Sequence, residues 1–428
     1  MNIKIKKKYF EFCYKTKIII VNIFINLILK IFPKINRKEL IKIGYKKKTI
    51  CIVENEYEFT IKQPSQALAK ERFKKFCGPR KVDCFFGIKI NDVRLIGPFG
   101  IPFTRTGKII LEPISKRWLV HIFKTTLAHM GLLGFIKQYF LAIFPIFDSK
   151  KNFLKIGAHL LCRGSKLSGL DDRIIEPVFG HWLGEQLPQI RSIEGVCKKF
   201  ALKSPLIVNK SNTNWQIDSL ALMGYKKGNL FKYNQNGLRV GELIISSLRN
   251  VHSRGFEFDP RARKWAAKRL QSNFVSLDLS KYKKKNVCVF RQNDKNRSIS
   301  NYKSLKKNII NKKYYEIQVD NLTFLESAKN FYLANNYLSI YGSGIFNVMI
   351  MKNPKKLVEI FLPNNKTKEV FFLLSQEFNM EYKCILAKPA LNSSMSFPPE
   401  IINSRYSELK DKKKEWHVPL HELDKILI

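Results

Sequence analysis

A short turn, Tyr341-Gly342-Ser343-Gly344, carries residue types that suit an anionic ligand. A β-type run precedes the turn and an apolar helical run follows it. Two glycines around a small residue let the backbone approach a ligand closely, and the first N–H groups of a helix attract negative charge. The pattern predicts a phosphate-bearing ligand, most simply a nucleotide sugar, at the carboxyl end of a parallel sheet. The alternative is that the glycines only allow the chain to turn tightly and bind no ligand.

A second group suited to chemistry lies at residues 180–185 (GHWLGE). These residues open a predicted helix, so His181 and Glu185, four residues apart, project from one face near its start. The imidazole could take a proton from a hydroxyl group, with Glu185 orienting the ring or acting as the base itself. The alternative is an ordinary helix in which His181 is capped and Trp182 and Leu183 lie in the core.

Four further polar residues complete the candidate ligand site. Arg291 ends a predicted strand, where its guanidinium group could form paired hydrogen bonds with a diphosphate. Arg297 could add to that contact or pair with Asp294, and a solvated basic loop explains both arginines equally well. Glu359 ends another predicted strand, where a carboxylate can accept hydrogen bonds from ribose hydroxyls. Asn347, one turn into the glycine-led helix, could bind the ligand or cap the helix.

Several catalytic motifs are absent from the sequence. No Asp-X-Asp pair occurs, which argues against transferases that hold a metal-bound diphosphate between two carboxylates. Neither His-Glu-x-x-His nor Gly-x-Ser-x-Gly occurs, so metal and serine hydrolases lose their support. No metal or other cofactor is therefore expected.

The elements that must position these residues alternate between strands and helices in the second half of the chain. Strand-type runs cover residues 286–291, 314–319, 337–340, 357–361 and 381–386, with helical patterns between them at 302–310, 323–334, 345–351 and 367–378. Strands that alternate with helices of about 10–12 residues predict βαβ units and a parallel sheet.

Two apolar tracts precede this region. Residues 18–32 are shorter than the ~20 residues that a spanning helix needs, and Asn22, Asn26 and Lys30 fall on one helical face. The tract predicts an interfacial helix on an anionic membrane surface, or equally an amphipathic helix on the protein's own core. The second tract, residues 118–147, is interrupted by Gly131 and Gly134 and could face either core or lipid.

Charge is the most unusual feature of the composition. The 428 residues hold 77 Lys and Arg against 34 Asp and Glu, a formal net charge of +43. Nucleic acid, an anionic membrane and codon bias could each account for it, but no nucleic-acid-binding motif accompanies the charge, so no nucleic acid partner is predicted. Eight scattered cysteines without paired spacing predict buried free thiols in a reducing compartment.

Four sequence blocks, in order and spacing, resemble the catalytic region of glycosyltransferase family 61 over about residues 155–390. They are residues 179–188 (FGHWLGEQLP), the segment from Arg291 to Asn301, residues 341–347 (YGSGIFN), and 358–360 (VEI). Two positions depart from the family pattern. Tyr341 replaces a histidine and Val178 replaces an asparagine, which indicates a divergent member with shifted chemistry or an inactive relative.

The resemblance implies a GT-B-like α/β fold, a pair of Rossmann-type domains, with an extra N-terminal α+β region. The predicted regions are a membrane-surface segment (1–48), the α+β region (49–150), an acceptor-side domain (151–280), a donor-binding domain (281–390) and a C-terminal tail (391–428).

The family also implies a metal-independent, inverting glycosyltransferase that uses a nucleotide-sugar donor. The acceptor would be a glycan or lipid-linked glycan, in cell-surface polysaccharide biosynthesis. His181 and Glu185 are the expected catalytic residues, and we expect the enzyme in the cytoplasm, at the inner face of the plasma membrane. The competing prediction is a catalytically inactive, membrane-associated protein that binds nucleotide or glycan.

Overall fold

A computed structural model describes residues 29–112, 119–148, 152–161, 165–168, 171–210, 213–248, 258–274, 277–290, 298–319, 322–362, 369–390 and 415–427. At residues 165–168, 171–177 and 389 only the backbone is described. The predictions for Arg291 and Arg297, and for most of the apolar tract 18–32, lie outside the described residues.

The larger sheet in the described residues has nine strands. They are β1 (Lys34–Ile35), β2 (Ile50–Glu54), β3 (Phe85–Ile96), β4 (Ile101–Thr104), β5 (Ile109–Ile110), β6 (Phe153–His159), β7 (Leu206–Asn209), β8 (Leu230–Tyr233) and β9 (Leu238–Ser246). Their order is β1-β5-β4-β3-β9-β6-β7-β8, and β2 also pairs with β3. Strands β9, β6, β7 and β8 run parallel, whereas β3 is antiparallel to β9, β4 and β2.

The second sheet is entirely parallel, as the sequence predicts. Its strands are β10 (Asn286–Val289), β11 (Tyr315–Glu316), β12 (Asn336–Ile340), β13 (Lys356–Phe361) and β14 (Glu381–Leu386). Their spatial order is β11-β10-β12-β13-β14. In chain order this is a 2-1-3-4-5 arrangement, in which the direction of winding reverses between β10 and β12.

Ten α-helices pack around the two sheets in the described residues. They are α1 (Arg37–Lys46), α2 (Ala67–Phe73), α3 (Leu119–Ile143), α4 (Leu187–Lys199), α5 (Asn214–Leu222), α6 (Pro260–Ser272), α7 (Tyr302–Asn311), α8 (Phe324–Tyr332), α9 (Val370–Glu377) and α10 (Leu420–Ile426), beside a three-residue α turn, Phe179–His181. A 3₁₀ helix, Ser343–Ile350, follows β12. Smaller sheets join Tyr57–Ile61 to Gly78–Val82, Ser165–Ser168 to Asp171–Pro177, and Ser298–Ile299 to Glu415–His417 and Lys388–Pro389.

Alternating side chains divide the second sheet into two apolar faces. On one face Leu338, Ile340 and Val358 pack in a cluster with residues of α7 and α10. On the other face, Tyr337 and Leu357 join a cluster that includes helices α8 and α9 and residues from the first half of the chain. Because strand side chains alternate, each strand supplies both layers, and buried parallel strands read as continuous apolar runs.

The structure bears out the predicted α/β class. The α+β region predicted for residues 49–150 and the domain predicted for 151–280 contribute strands to one sheet, because β3 pairs with β9 over most of its length. Strands from both predicted regions therefore belong to the same sheet. The run predicted as a helix at 345–351 is helical, but it is a 3₁₀ helix and begins two residues earlier.

Helix α3 is interrupted where the sequence predicts an interruption. Gly131 has φ 70° and ψ 167°, so the chain changes direction there and continues as a second helical segment. A side chain at this position would be strained, because positive φ values of this kind favour glycine. Among the described residues α3 is the one helix long and apolar enough to cross a membrane, by length and composition.

Candidate active site

The glycine turn lies at the carboxyl edge of the second sheet, beside its switch point. Tyr341 directly follows β12, and its N–H donates to the Ile360 carbonyl of neighbouring β13 at 3.0 Å. Gly342 is extended, and the 3₁₀ helix begins at Ser343. In doubly wound sheets ligands bind outside the carboxyl ends of the strands, where the strand order reverses. The strand order reverses between β10 and β12, which pair side by side. The glycine turn follows β12, and in the sequence Arg291 follows β10.

The carbonyl of Gly344 fixes the start of the 3₁₀ helix. It accepts hydrogen bonds from the Tyr337 hydroxyl at 3.1 Å and from Asn347 Nδ2 at 2.9 Å. Asn347 therefore caps the turn through its amide nitrogen. Its Oδ1 is buried and has no hydrogen-bond partner in the described structure, while the whole residue is only 3% exposed. A buried acceptor left unpaired is costly, so this atom is available for a donor on a ligand.

His181 and Glu185 form a buried pair on an irregular helix. The Nδ1 atom of His181 lies 2.9 Å from Glu185 Oε2, and the two side chains are 11% and 3% exposed. The helix begins at Phe179, passes through a π turn, Trp182–Gln186, and continues as α4. Single π turns within helices are frequent at functional sites. Trp182 and Leu183 are buried in the core, as the alternative interpretation of this helix expects. The same helix also carries the hydrogen-bonded pair of His181 and Glu185.

Pro188 gives a physical reason for the π turn. Proline has no N–H group, so it cannot donate the regular helical hydrogen bond to the carbonyl four residues earlier, that of Gly184. Arg263 supplies the missing donor, with its Nε 2.7 Å from Gly184 O. The N–H of Leu187 instead reaches back five residues to Trp182.

Arg263 connects this helix to the second half of the chain through a buried ion pair. Its Nη1 lies 2.7 Å from both carboxylate oxygens of Glu377, at the end of α9. The N–H of Asp259 also donates to Glu377, at 3.0 Å, and Asp259 caps α6. Burial opposes the charge, but Glu377, Glu185 and Asp259 raise the pKa of Arg263 above its usual value. The guanidinium group is therefore cationic in the core.

Two glycines allow close packing between the 3₁₀ helix and the helix that carries His181. We call the latter, which runs from Phe179 to the end of α4, the histidine helix. A Cβ atom on Gly184 would lie 2.2 Å from Phe346 Cε1, and one on Gly180 would lie 2.9 Å from Phe346 Cδ2 and 3.1 Å from Ser343 Cβ. The ring of Phe346 thus occupies the space that side chains would need. Gly180, which precedes His181 in the chain, therefore lies close to Ser343 of the glycine turn.

An aromatic pocket opens beside the same turn. It has a volume of about 190 Å³ and lies between the first half of the chain, which supplies Phe179 and Trp215, and the start of α8, with Thr323 and Phe324. Gly344 and Asn347 also line it. The rings of Phe179 and Trp215 meet edge to face, with centroids 5.4 Å apart. Helix α8 begins at the pocket because Thr323 and Glu326 form a reciprocal capping box.

The structure places two predicted residues in packed surroundings. Glu359 does not end its strand: it is the fourth of six residues in β13, fully buried, and accepts a hydrogen bond from the Tyr382 hydroxyl at 2.7 Å. Burial and the nearby carboxylate raise the pKa of Tyr382, which keeps this hydroxyl a donor. Tyr341 packs its ring edge to face on Phe371, with centroids 5.1 Å apart.

The sequence does not predict the roles of Arg263, of the pocket residue Trp215 or of the packing of Phe346. One signal for Arg263 was present, because it lies on the apolar face of α6 with Ala266, Ala267 and Leu270, where an arginine needs a buried partner. No local signal identifies Glu377 as that partner, since it lies 114 residues away. Within the described part of the chain, no three His, Cys, Asp or Glu side chains come together as metal ligands.

Comparison with known families gives the class of this region. Residues 179–358 match the model of a family described as Glycosyltransferase 61. The match begins at the start of the histidine helix and ends in β13, so it covers His181, Glu185 and the glycine turn. No curated protein matches the chain.

The match to the glycosyltransferase 61 model covers this region, less than half of the chain, and it includes most of the sequence blocks that predict the resemblance. The match supports glycosyltransferase activity, and the matched family implies a nucleotide-sugar donor and a glycan acceptor.

Proposed function

We propose that the protein transfers a sugar from a nucleotide sugar to a hydroxyl group of a glycan, with inversion and without a metal, in cell-surface polysaccharide biosynthesis. The observation that carries the proposal is the contact between Gly180 and Ser343. In the proposed site, this close approach would hold the His181–Glu185 pair beside the glycine turn at the switch point of a parallel sheet. A proton acceptor and a phosphate-binding turn thus share one site.

The diphosphate of the donor would bind at the glycine turn. Gly342, Ser343 and Gly344 offer backbone at the start of the 3₁₀ helix, and Arg291 and Arg297 follow the neighbouring strand β10 in the sequence. Positive charge and N–H groups at this edge would stabilise the diphosphate as it leaves. These contacts replace the charge that a metal ion would otherwise supply.

The aromatic pocket would hold the nucleobase of the donor. Its walls of Phe179, Trp215 and Phe324 suit a flat ring, whereas a sugar with many hydroxyl groups needs more polar partners. The buried Oδ1 of Asn347 can accept a hydrogen bond from a ring N–H. Gly344 lines both the pocket and the turn, so the base and the diphosphate would lie next to one another.

His181 is the proposed general base. Because its Nδ1 is hydrogen-bonded to Glu185, Nε2 is the atom that would take the proton from the acceptor hydroxyl. The acceptor oxygen then forms a bond to the anomeric carbon, while the bond from that carbon to the diphosphate oxygen breaks. The leaving diphosphate keeps the electron pair, and direct displacement inverts the anomeric centre. Glu185 stabilises the imidazolium that forms.

The proposed acceptor is a glycan or lipid-linked glycan at the inner face of the plasma membrane. The basic, apolar segment of residues 1–48 would hold the enzyme at this anionic surface from the cytoplasm. Deletion of residues 1–28, which keeps β1, α1 and Phe32 in place, should reduce membrane association in cell fractions. Full association of the deleted protein would contradict this role.

Release of nucleoside diphosphate from a panel of nucleotide sugars tests the transfer reaction. The assay is run with EDTA, with and without a mixture of cell-surface glycans as acceptors. We expect acceptor-dependent release from one donor class. Binding of a nucleotide without release from any donor would contradict transfer and favour the second candidate, an inactive nucleotide- or glycan-binding relative. The packing of Tyr341, where the family has histidine, is the observation that supports this alternative.

A further inference from the structure

Helix α3 presents an apolar surface on the side that faces away from the protein. We propose that this surface inserts into an anionic lipid bilayer at the level of the headgroups. We name it the outer apolar face, and it consists of Leu132, Leu133, Ile136 and Phe140 of α3 together with Phe144, Ile146 and Phe147, which follow the end of α3. Leu133 is 82% exposed, Ile146 81% and Phe147 64%. Contiguous exposed patches of this kind mark interaction sites in soluble proteins.

The opposite side of the same helix explains why this face cannot turn inward. Phe135 and Ala142 are buried in a cluster with Phe103 and Phe123. The ring of Phe32 packs on Phe135 with centroids 6.0 Å apart and on Tyr139 at 4.7 Å. The inner side is therefore fixed to the protein, and the segment after Gly131 is apolar on both sides.

The exposed rings form one continuous surface. The centroids of Phe140 and Phe144 lie 4.7 Å apart, and those of Phe140 and Phe147 lie 5.8 Å apart. Phenylalanine rings that group at one end of a helix are suited to the boundary between headgroups and acyl chains. The face therefore has both the area and the residue types of an interfacial surface.

A spanning arrangement does not fit the packing of α3. Its length and composition would allow it to cross a bilayer, but 33% of its most apolar window is buried inside the protein. A helix with one side fixed to a folded sheet cannot be surrounded by lipid. Shallow insertion of the outer face leaves the inner packing intact and removes the exposed side chains from water.

The positive charge of the chain favours an anionic bilayer as the partner of the outer apolar face. Lys137 is exposed on the same segment as Leu133, and Lys30 is exposed next to Ile31, which is 77% exposed. The described chain begins at Leu29, which is buried in the α3 cluster. In the sequence, residues 1–28 precede Leu29 and include Lys4, Lys6, Lys7, Lys8, Lys15 and Lys17. Basic residues near a membrane surface each contribute about 1 kcal/mol of attraction to anionic lipid.

Flotation of the full-length protein with vesicles tests this surface. The variant carries Leu133→Ser and Phe147→Ser, and the control carries Ile310→Ser, an exposed apolar residue (57%) of α7. We expect the wild type and the control to bind vesicles that contain phosphatidylglycerol. We expect the double variant to lose at least about tenfold in partitioning, because two apolar side chains no longer enter the bilayer.

Three results would overturn the proposal. The first is equal flotation of the double variant and the wild type, and the second is that the wild type binds phosphatidylcholine vesicles as well as vesicles with phosphatidylglycerol. The third is that no protein binds vesicles while the double variant forms a smaller oligomer than the wild type. The last result would show that a second copy covers the face. Nucleotide binding, measured on the same proteins, should be unchanged, so the failure of this proposal and of the proposed function remain distinguishable.

Discussion

At the scale of single residues, the proposed reaction depends on a histidine that is hydrogen-bonded to a buried carboxylate. Glu185 lies 2.9 Å from Nδ1 of His181, and Arg263 contributes positive charge near Glu185. The hydrogen bond from Nδ1 to Glu185 restrains rotation of the ring, and the proposed reaction uses Nε2. The same residues on a regular α-helix would also be four positions apart, but the π turn sets their relative direction here.

Substitution of His181 by alanine should lower kcat by about 10²–10⁴-fold, because a positioned general base contributes about that much. Glu185→Gln should lower kcat less, since the ring remains and only its charged partner is lost. The measurement is donor turnover with acceptor present, together with the affinity for nucleoside diphosphate. His421→Ala, at a side chain that is 69% exposed, is the matched control. Unchanged kcat in His181→Ala would contradict the assignment.

Arg263→Met should strongly destabilise the protein, by about 3–5 kcal/mol in the free energy of unfolding. It leaves the buried Glu377 carboxylate without its partner, and it also removes the donor to the Gly184 carbonyl. Chemical denaturation measures the effect. The control is Lys81→Met, whose ion pair with Glu56 has side chains 67% and 62% exposed and should matter little. Equal stability of the two variants would contradict a structural role for the buried pair.

At the scale of elements, the site depends on how closely two helical segments approach. Gly180 and Gly184 lack side chains on one face of the histidine helix, and the ring of Phe346 from the 3₁₀ helix packs into the space that this leaves. The contact sets the distance between the helix that carries His181, the proposed general base, and the glycine turn. A change in this contact should therefore affect catalysis as well as stability.

Gly184→Ala should destabilise the protein by about 1–3 kcal/mol and lower kcat, because its Cβ would lie 2.2 Å from the Phe346 ring. Adding Phe346→Leu should recover part of the stability by making room. Thermal unfolding and donor turnover are the measurements. In the control, Gly228→Ala, the new Cβ meets nothing within 4 Å, and we expect no loss. Wild-type behaviour of Gly184→Ala would show that the two segments are not in this close contact.

Much of the element order can be predicted from the sequence, because apolar periodicity is a local property. The strand Glu381–Leu386 has the predicted bounds, and the helix predicted at 302–310 is one residue longer. The type of the helix after Gly344 could not be predicted, since periodicity over eight residues does not separate 3₁₀ from α. The hydrogen bonds of Tyr337 and Asn347 to Gly344 accompany its tighter winding, and they depend on tertiary packing.

At the scale of the whole molecule, one apolar core joins the two sheets. It contains Ile61 and Phe73 from the N-terminal region, Val208 from the larger sheet, and Val287 and Phe361 from the parallel sheet. Pairing between β3 and β9 links residues about 150 positions apart in the chain. Such contacts have no local signature in a single sequence, which is why the sequence predicts the parallel repeat well and the mixed sheet poorly.

Gln66→Ala should loosen the edge of the parallel sheet. The Gln66 side chain accepts from the Cys384 N–H at 2.7 Å and donates to its carbonyl at 2.8 Å, so it pairs with the edge strand β14. We expect a loss of about 1–3 kcal/mol and faster hydrogen exchange at residues 381–386. Gln63→Ala, at an exposed position nearby, should leave exchange unchanged. Unaltered exchange in Gln66→Ala would show that this link does not protect the edge.

The most direct test of the central claim is thermal stabilisation by nucleoside diphosphates and nucleotide sugars, measured with EDTA on the wild type and two variants. Arg291→Ala removes a proposed diphosphate contact, and Asn347→Ala removes the acceptor proposed for the base. We expect one nucleotide class to stabilise the wild type in the presence of EDTA, with little or no shift in Arg291→Ala and a weaker preference between bases in Asn347→Ala. The absence of any shift in the wild type, or an equal shift in Arg291→Ala, would contradict a donor site at the switch point.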